Sequence, residues 1–199
     1  IIINLGGDNI SPSKIENILC LNELIKQSFV YGDKKNYLVA IIVCDKEIKE
    51  ERIMNTKEAW ALVGGLSKPS KMPGWSIGIP AKECKTGKKL RQIKNSVCEG
   101  CYALKGCYVF KVVQEAQYKR LRAISHPDWV LAMSTLINSK KPDVFRWHDS
   151  GDVQDFTHLM KIFQVCKLSP AKRHWMPTRE AWIKDHMHLA PANLVVRFS

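Results

Sequence analysis

The sequence predicts an α/β protein: a partial parallel β/α barrel or an open parallel sheet over about residues 65–199, preceded by a small α+β fragment over residues 1–45. Over residues 144–198, short apolar strands alternate with helical segments, an order typical of parallel strands joined by crossover helices. The longest apolar run, residues 37–44, is far shorter than the roughly 18–20 residues that span a bilayer. We therefore expect no membrane span.

The first part of the chain has the order β-α-β-β. Its expected elements are a strand at 1–4, a helix that begins at Ser11 and Pro12, and strands at 28–31 and 37–44. Ser11 is a favoured N-cap residue, and proline is favoured in the first turn of a helix. The charged segment that follows predicts a linker over 46–65, ahead of a second domain over 66–199.

A helix is expected at 54–61, within the linker, and the first strand of the second domain is expected at 75–79. The elements expected after these are helices at 112–124, 127–138, 155–167 and 180–188, and strands at 144–147, 174–176 and 194–198. The chain starts at Ile1 rather than Met, and its last residues resemble the middle of a strand. We therefore expect that both ends are cut and that the second domain is truncated.

Positive charge is concentrated in one segment. The chain carries 31 Lys and Arg against 19 Asp and Glu, for a net charge of +12. Residues 66–122 contribute 13 basic and 3 acidic side chains. Such a segment attracts phosphates, so it predicts a nucleic-acid or nucleotide partner, with a solvated lysine surface as the alternative.

Four of the seven cysteines lie close together in the sequence: Cys84, Cys98, Cys101 and Cys107. The chain shows no secretory leader and has an odd number of cysteines, so a reducing, cytoplasmic location and a metal site are favoured over disulfides. Four thiolates could bind zinc. Three or four could bind an iron–sulfur cluster. The other cysteines, Cys20, Cys44 and Cys166, are expected to be buried.

Polar residues follow the strands of the second domain. His148 and Asp149 are candidates for a proton-transfer pair. Thr178 and Arg179 could bind a carboxylate or phosphate, although an ion pair between Arg179 and Glu180 is equally consistent with the sequence. Because ligands bind at the carboxyl ends of parallel strands, these residues and the cysteines are expected to share one site. The six tryptophans are expected to pack in the core.

The cysteine segment resembles the radical S-adenosylmethionine enzymes, because cysteines follow the first strand and Tyr102 directly follows the C-x-x-C pair. The resemblance implies that Cys84, Cys98 and Cys101 hold a [4Fe–4S] cluster whose open iron binds S-adenosylmethionine. It also implies that Ser150, Gly151 and Asp152 lie beside that cofactor. The spacing departs from the usual C-x3-C-x2-C, since thirteen residues separate Cys84 from Cys98.

A second resemblance covers about residues 65–199. It is carried by the segments 70–74, 84–87, 98–106, 145–152 and 177–180, which read SKMPG, CKTG, CEGCYALKG, FRWHDSGD and PTRE. Together these segments resemble the phage gene product 88 family, which occurs in bacteriophages and prophages. The resemblance implies a layout but no reaction, so whether the chain is an enzyme stays open.

The first part resembles the small C-terminal domain of AMP-forming acyl-CoA synthetases, on the segments LGGDNISPSKIE, FVYGD and YLVA at 5–16, 29–33 and 37–40. In that family the Gly-Gly segment borders the pantetheine channel. The nucleotide-binding domain, hinge and adenylate-contacting lysine that the resemblance implies do not lie in this chain. We therefore expect an inactive fragment.

Three functions stay open from the sequence. The first is a phage-type protein that binds an iron–sulfur cluster in a radical-SAM-like β/α domain. The second is a zinc-stabilised nucleic-acid-binding protein. The third is an inactive acyl-CoA synthetase fragment joined to a phage-type domain, either by a genuine fusion or in the gene model.

Overall fold

The computed structural model describes residues 2–3, 9–21, 25–32, 34, 38–44 and 53–198. The chain divides into two compact units, Ile1–Ile53 and Met54–Ser199, and each is described by itself. Within the described ranges, no helix combines the length and the apolar character that crossing a membrane requires.

The first unit contains one helix and two antiparallel strand pairs. Its elements are β1 (Ile2–Ile3), which pairs with β2 (Asn9–Ile10), then α1 (Pro12–Leu19), and β3 (Ile25–Tyr31), which pairs with β4 (Val39–Cys44). Ser11 is the N-cap of α1, as expected, but its side chain makes no capping hydrogen bond. Strand β2 was not expected.

Helix α1 is fixed to β3 by hydrogen bonds. The Glu16 carboxylate accepts a bond from the backbone N–H of Val30 at 2.9 Å, and the Ser28 hydroxyl donates to the Glu16 carbonyl at 3.1 Å. Several apolar side chains of the β3–β4 pair nevertheless stay exposed, among them Phe29 and Ile41. Cys20 is also exposed, because it lies at the C-cap of α1, so the expectation that it is buried is wrong. The Cys44 side chain lies outside the described residues.

The second unit is built on a four-stranded parallel sheet. Its strands are β5 (Trp75–Ile77), β6 (Val144–Trp147), β7 (Arg173–Thr178) and β8 (Leu194–Phe198), in spatial order β5-β6-β7-β8. All three neighbouring pairs are parallel. The predicted α/β class with a parallel sheet is therefore confirmed, and the four described strands fit an open sheet without showing closure into a barrel.

Five α-helices accompany this sheet in the described residues: α2 (Thr56–Val63), α3 (Lys85–Leu90), α4 (Lys111–Ala123), α5 (Trp129–Asn138) and α6 (Phe156–Lys167). Asn55 caps α2, because its side chain accepts bonds from the N–H groups of Lys57 and Glu58. Helix α3 was not expected. The helix expected at 180–188 is instead a 3₁₀-helix, Ala181–Leu189.

One face of the sheet packs against the helices and forms the core. Its side chains include Phe145, Trp147 and Met176, which pack with helix residues such as Trp129 and Leu159. Cys166 is buried, as expected. Two of the tryptophans, Trp60 and Trp175, are instead 40% and 37% exposed, so the expectation that all six pack in the core is wrong for these two.

Candidate functional site

The segments that follow β5 and β6 run together beyond the ends of their strands. The N–H of Ile79 donates to the Ser150 carbonyl at 3.0 Å, and the Ser150 hydroxyl donates to the Ile79 carbonyl at 2.9 Å. Gly151 permits this approach: it has φ +79, and a Cβ there would lie 2.3 Å from Ile79 Cγ1. The contacts of Ser150 and Gly151 therefore hold the segments that follow β5 and β6 against each other.

Asp152 joins the end of β6 to the end of β7. Its carboxylate accepts bonds from the Thr178 hydroxyl at 2.7 Å, the Arg179 N–H at 2.8 Å and the Val153 N–H at 2.8 Å. Burial raises the pKa of Asp152 to about 6, although these three bonds act in the opposite direction. The residues predicted after β6 and β7 are thus brought together.

Glu180 ties the cysteine segment to this group, a role that the sequence did not suggest. Its carboxylate is 2% exposed and accepts bonds from the N–H and hydroxyl of Thr86 at 3.0 and 2.8 Å. The Trp182 indole donates to the same carboxylate at 3.0 Å. Because Thr86 lies in the first turn of α3, Glu180 fixes the start of that helix, directly after Cys84.

Three of the four clustered cysteines share one neighbourhood. The Sγ atoms of Cys84 and Cys98 each lie 3.7 Å from the position that a Cβ on Gly87 would take, so they are at most twice that distance apart. The pKa of the Cys84 thiol is raised to about 12, mainly by burial; Asp152 and the thiols of Cys101 and Cys98 contribute in the same direction, and the Arg91 guanidinium acts against them. All three cysteines are free thiols.

Positive charge also reaches these thiols. The pKa of Cys98 is raised by burial and by Cys101, while the Arg179 and Arg91 guanidinium groups lower it. Cys107 has a different environment: it is exposed, and its thiol contributes to the raised pKa of Tyr108. The structure therefore groups Cys84, Cys98 and Cys101, with Arg179 beside them.

The cysteines and the other potential ligands of the described residues are not arranged to bind a single metal ion. Among the described residues, no group of three or more His, Cys, Asp or Glu side chains could hold one ion. Tetrahedral zinc requires sulfurs roughly 3.8 Å apart. In a [4Fe–4S] cluster each cysteine binds a different iron atom, so the sulfurs lie farther apart and this result does not test that cofactor. Both cofactors stay predictions.

His148 is a buried imidazole in a strained position. It has φ +61, in the left-handed region, it is 3% exposed, and its Nδ1 has no hydrogen-bond partner. Burial holds its pKa well below the usual value, and His158 and Arg146 act in the same direction. Asp149 therefore does not orient His148 through Nδ1, and their joint role in proton transfer stays a prediction.

Asp149 and Tyr102 connect the cysteine segment to the end of β6. The Tyr102 hydroxyl donates to the Asp149 carbonyl at 2.5 Å. Burial raises the pKa of the Asp149 carboxyl, against the opposing charges of Arg120 and Arg146. Gly78 makes room for this carboxylate, since a Cβ there would lie 2.1 Å from Asp149 Oδ1. Gly78 is a second supporting residue that the sequence did not suggest.

An open parallel sheet with thiols after its first strand and polar residues after the next two defines an α/β protein with a candidate site at the carboxyl ends of its strands. This chain belongs to the Gene product 88 family, whose family model matches residues 46–199. The resemblance of the second part of the sequence to that family is thereby confirmed.

The chain is also similar to mycobacterial ligases over a shorter stretch. It is 40% identical over 68 residues to the long-chain-fatty-acid–CoA ligase FadD15 of Mycobacterium tuberculosis, and equally to that of Mycobacterium bovis. The match covers 34% of this chain and 11% of each ligase, so the chain spans about a tenth of the length of these relatives. It confirms the resemblance to a fragment of an acyl-CoA synthetase. No solved structure matches the chain.

Proposed function

We propose that the Met54–Ser199 unit binds a [4Fe–4S] cluster through Cys84, Cys98 and Cys101. The observation that carries this proposal is the shared neighbourhood of these three free thiols, in the segment that follows the first strand of a parallel sheet. Thiolates bind such clusters, and a reducing cytoplasm would keep them available. The fourth cysteine, Cys107, is exposed and is left out of the ligand set.

S-adenosylmethionine is the proposed second cofactor, beside Tyr102, Ser150–Asp152 and Thr178–Arg179. Arg179 supports this assignment, because its charge acts on Cys98 and a guanidinium binds a carboxylate such as that of methionine. When bound, the iron–sulfur cluster would supply one electron to the sulfonium group. The protein would contribute the fixed positions of the strand ends, through the bonds that Asp152 accepts.

Anaerobic reconstitution with ferrous iron and sulfide tests the ligand set. We expect a broad visible absorption band and iron and sulfide in the proportions of one [4Fe–4S] cluster. Cys84→Ser, Cys98→Ser and Cys101→Ser should each lose most of the iron. Cys107→Ser is the matched control and should retain it. With dithionite as reductant, the loaded protein should cleave S-adenosylmethionine.

The same variants separate this proposal from the zinc alternative. If all four cysteines bind zinc, the protein should purify with one zinc per chain, take up no iron, and lose zinc in Cys107→Ser as well. That result would overturn the iron–sulfur proposal and leave a zinc-stabilised nucleic-acid-binding protein. The basic segment 66–122 supports the nucleic-acid part of that alternative.

For the Ile1–Ile53 unit we propose an acyl-CoA-ligase-like fragment without ligase activity. The match to about a tenth of each ligase supports this proposal, as do the exposed apolar side chains of β3 and β4. ATP–pyrophosphate exchange with a long-chain fatty acid tests it. We expect no exchange above the level of a protein-free control, and exchange that depends on the fatty acid would contradict the proposal.

A further inference from the structure

The sheet of the second unit has a face that the described helices do not cover. We call it the open face and define it by Arg146 on β6, Arg173 and Trp175 on β7, and Val195 and Arg197 on β8. Arg146 pairs in register with Trp175, and Trp175 with Val195, so these side chains form one row across three strands. Their strand neighbours point the other way, into the core.

The open face is positively charged. It borders a cavity of about 460 Å³ whose lining includes Arg146, Arg173 and Arg197 and no carboxylate. Arg173 makes an ion pair with Asp143 at 2.9 Å, at the edge of this surface. The three arginines lie on three successive strands at different heights, since Arg146 is in register with Trp175 and Arg197 with Pro177. Such a spread of positive charge favours a ligand with more than one negative charge.

The surroundings of Arg146 indicate a missing acceptor. Its Nη1 contacts the Met72 sulfur at 2.7 Å and its Nη2 lies 3.5 Å from the Tyr102 hydroxyl, so both partners are weak or distant acceptors. Its Nε is buried and has no hydrogen-bond partner. Because the Nη groups have only these weak partners, an anionic ligand in the cavity would be a better acceptor for them.

An aromatic platform accompanies this charge. The Arg146 guanidinium lies 4.9 Å from the centroid of the Trp175 ring, and Trp175 is 37% exposed. Exposed tryptophan rings and guanidinium planes are surfaces on which unpaired nucleobases stack. A duplex does not offer its base faces in this way, because they are already stacked on each other.

We propose that the open face binds a single-stranded nucleic acid, with a base stacked on Trp175 and phosphates on Arg146, Arg173 and Arg197. The assignment goes beyond the iron–sulfur proposal and does not depend on it, since none of these residues is a proposed ligand of the cluster. The nucleic acid would therefore contact arginines of the sheet, and not the lysines of 66–122 that the sequence predicts.

Fluorescence anisotropy with a labelled single-stranded oligonucleotide, on the full chain without added iron, tests the proposal. We expect affinity to fall steeply with salt. Trp175→Leu should weaken binding about tenfold without changing the salt slope, and Trp175→Tyr should restore most of it. Arg197→Gln should weaken binding and lower the salt slope by about 1, while Arg197→Lys should retain the slope.

Two exposed lysines of α3 provide the control. Lys88→Gln combined with Lys89→Gln removes two exposed charges of the basic segment that do not line the cavity at the open face, and we expect binding within about twofold of the unaltered chain. Circular dichroism confirms folding of each variant. Equal affinity for duplex, displacement by a nucleoside monophosphate at equal concentration, or a larger loss from the lysine pair than from Arg197→Gln would overturn the proposal.

Discussion

The buried carboxylate of Glu180, two residues after the end of β7, accepts two hydrogen bonds from Thr86, in the first turn of α3. Ninety-four positions of sequence separate these residues. Thr86 follows Cys84 by two residues, so this contact sets where the first cysteine stands relative to the sheet. Glu180 is therefore a positioning residue for the cysteine segment rather than part of a surface ion pair.

Replacing Glu180 should loosen that segment. Glu180→Ala removes the acceptor for two donors of Thr86 and for the Trp182 indole. These donors are partly buried, so leaving each without a partner costs about 1 kcal/mol, the lower end of the range for buried groups. We expect the free energy of unfolding to fall by about 3 kcal/mol in total, and alkylation of the Cys84 thiol to become faster. Denaturant titration and mass spectrometry after iodoacetamide treatment measure the two effects.

Glu83→Ala is a matched control, because Glu83 is an exposed glutamate of the same segment that accepts one bond from the Tyr118 hydroxyl. It should change stability by no more than about 0.5 kcal/mol. If Cys84 reacts as slowly in Glu180→Ala as in the unaltered chain, Glu180 does not position it.

Gly87 tests whether the spacing of the thiols matters. A Cβ at Gly87 would lie 3.0 Å from Cys84 Cβ and 3.7 Å from the sulfurs of Cys84 and Cys98. Gly87→Ala should therefore displace Cys84, although alanine favours the α3 helix by roughly 0.5–1 kcal/mol. We expect unfolding free energy to stay equal or rise, while iron uptake on reconstitution falls severalfold.

Gly100→Ala is the companion variant, since a Cβ there would meet no heavy atom within 4 Å. It should reconstitute as well as the unaltered chain. Equal iron uptake by the Gly87 and Gly100 variants would show that the neighbourhood around Gly87 is not the ligand site.

The order of strands and helices could be predicted from the sequence because it depends on local patterns. β6 (Val144–Trp147) and β8 (Leu194–Phe198) begin and end at the predicted residues. Helix α3 was missed, since Lys85–Leu90 contains one apolar residue and an internal glycine, so it shows no helical periodicity. The contact between Glu180 and Thr86 could not be predicted, because no sequence pattern relates positions so far apart.

The face of the sheet on which a residue lies also could not be predicted from the sequence. Trp175 alternates with His174 and Met176 along β7, so the pattern places it on the opposite face from them. Which face the helices would cover depends on the packing of α5 and α6. Trp175 was expected in the core because of its residue type alone, whereas its register places it on the open face.

Gly151 is expected to be a structural residue whatever ligand binds beside it. Its φ of +79 is unfavourable for any residue with a Cβ, and that Cβ would lie 2.7 Å from the Ile79 carbonyl oxygen. Gly151→Ala should lower the free energy of unfolding by about 2–3 kcal/mol. Denaturant titration checks this, with Gly100→Ala as control. A loss below about 0.5 kcal/mol would show that the β5 and β6 ends are not packed as described.

His174 makes the free energy of unfolding depend on pH, because it takes part in a continuous series of hydrogen bonds. The Trp147 indole donates to its Nδ1 at 3.2 Å, so its Nε2 carries the proton and donates to the Ser169 hydroxyl at 2.9 Å. That hydroxyl donates to the Val165 carbonyl at 2.6 Å. A proton on Nδ1 would break the bond from Trp147, and burial accordingly lowers the pKa of His174 from 6.5 to about 4.

The folded state holds His174 neutral, whereas the unfolded chain binds a proton at this residue below pH 6.5. The contribution of His174 to the free energy of unfolding is therefore complete above pH 6.5. It is lost as the pH falls towards 4. Comparison with His174→Gln isolates it from Asp152, whose raised pKa acts in the opposite direction. The advantage of the unaltered chain over His174→Gln should shrink by on the order of 3 kcal/mol between pH 6.5 and pH 4.

Denaturant titrations of both proteins across this pH range measure that difference. His188→Gln, at an exposed position near the end of the 3₁₀-helix, serves as the control, and its stability should follow that of the unaltered chain at every pH. If the difference between the unaltered chain and His174→Gln is the same at pH 4 and pH 7, the imidazole is not held neutral in the fold. The proton positions assigned to the hydrogen bonds from Trp147 through His174 to Ser169 would then be wrong.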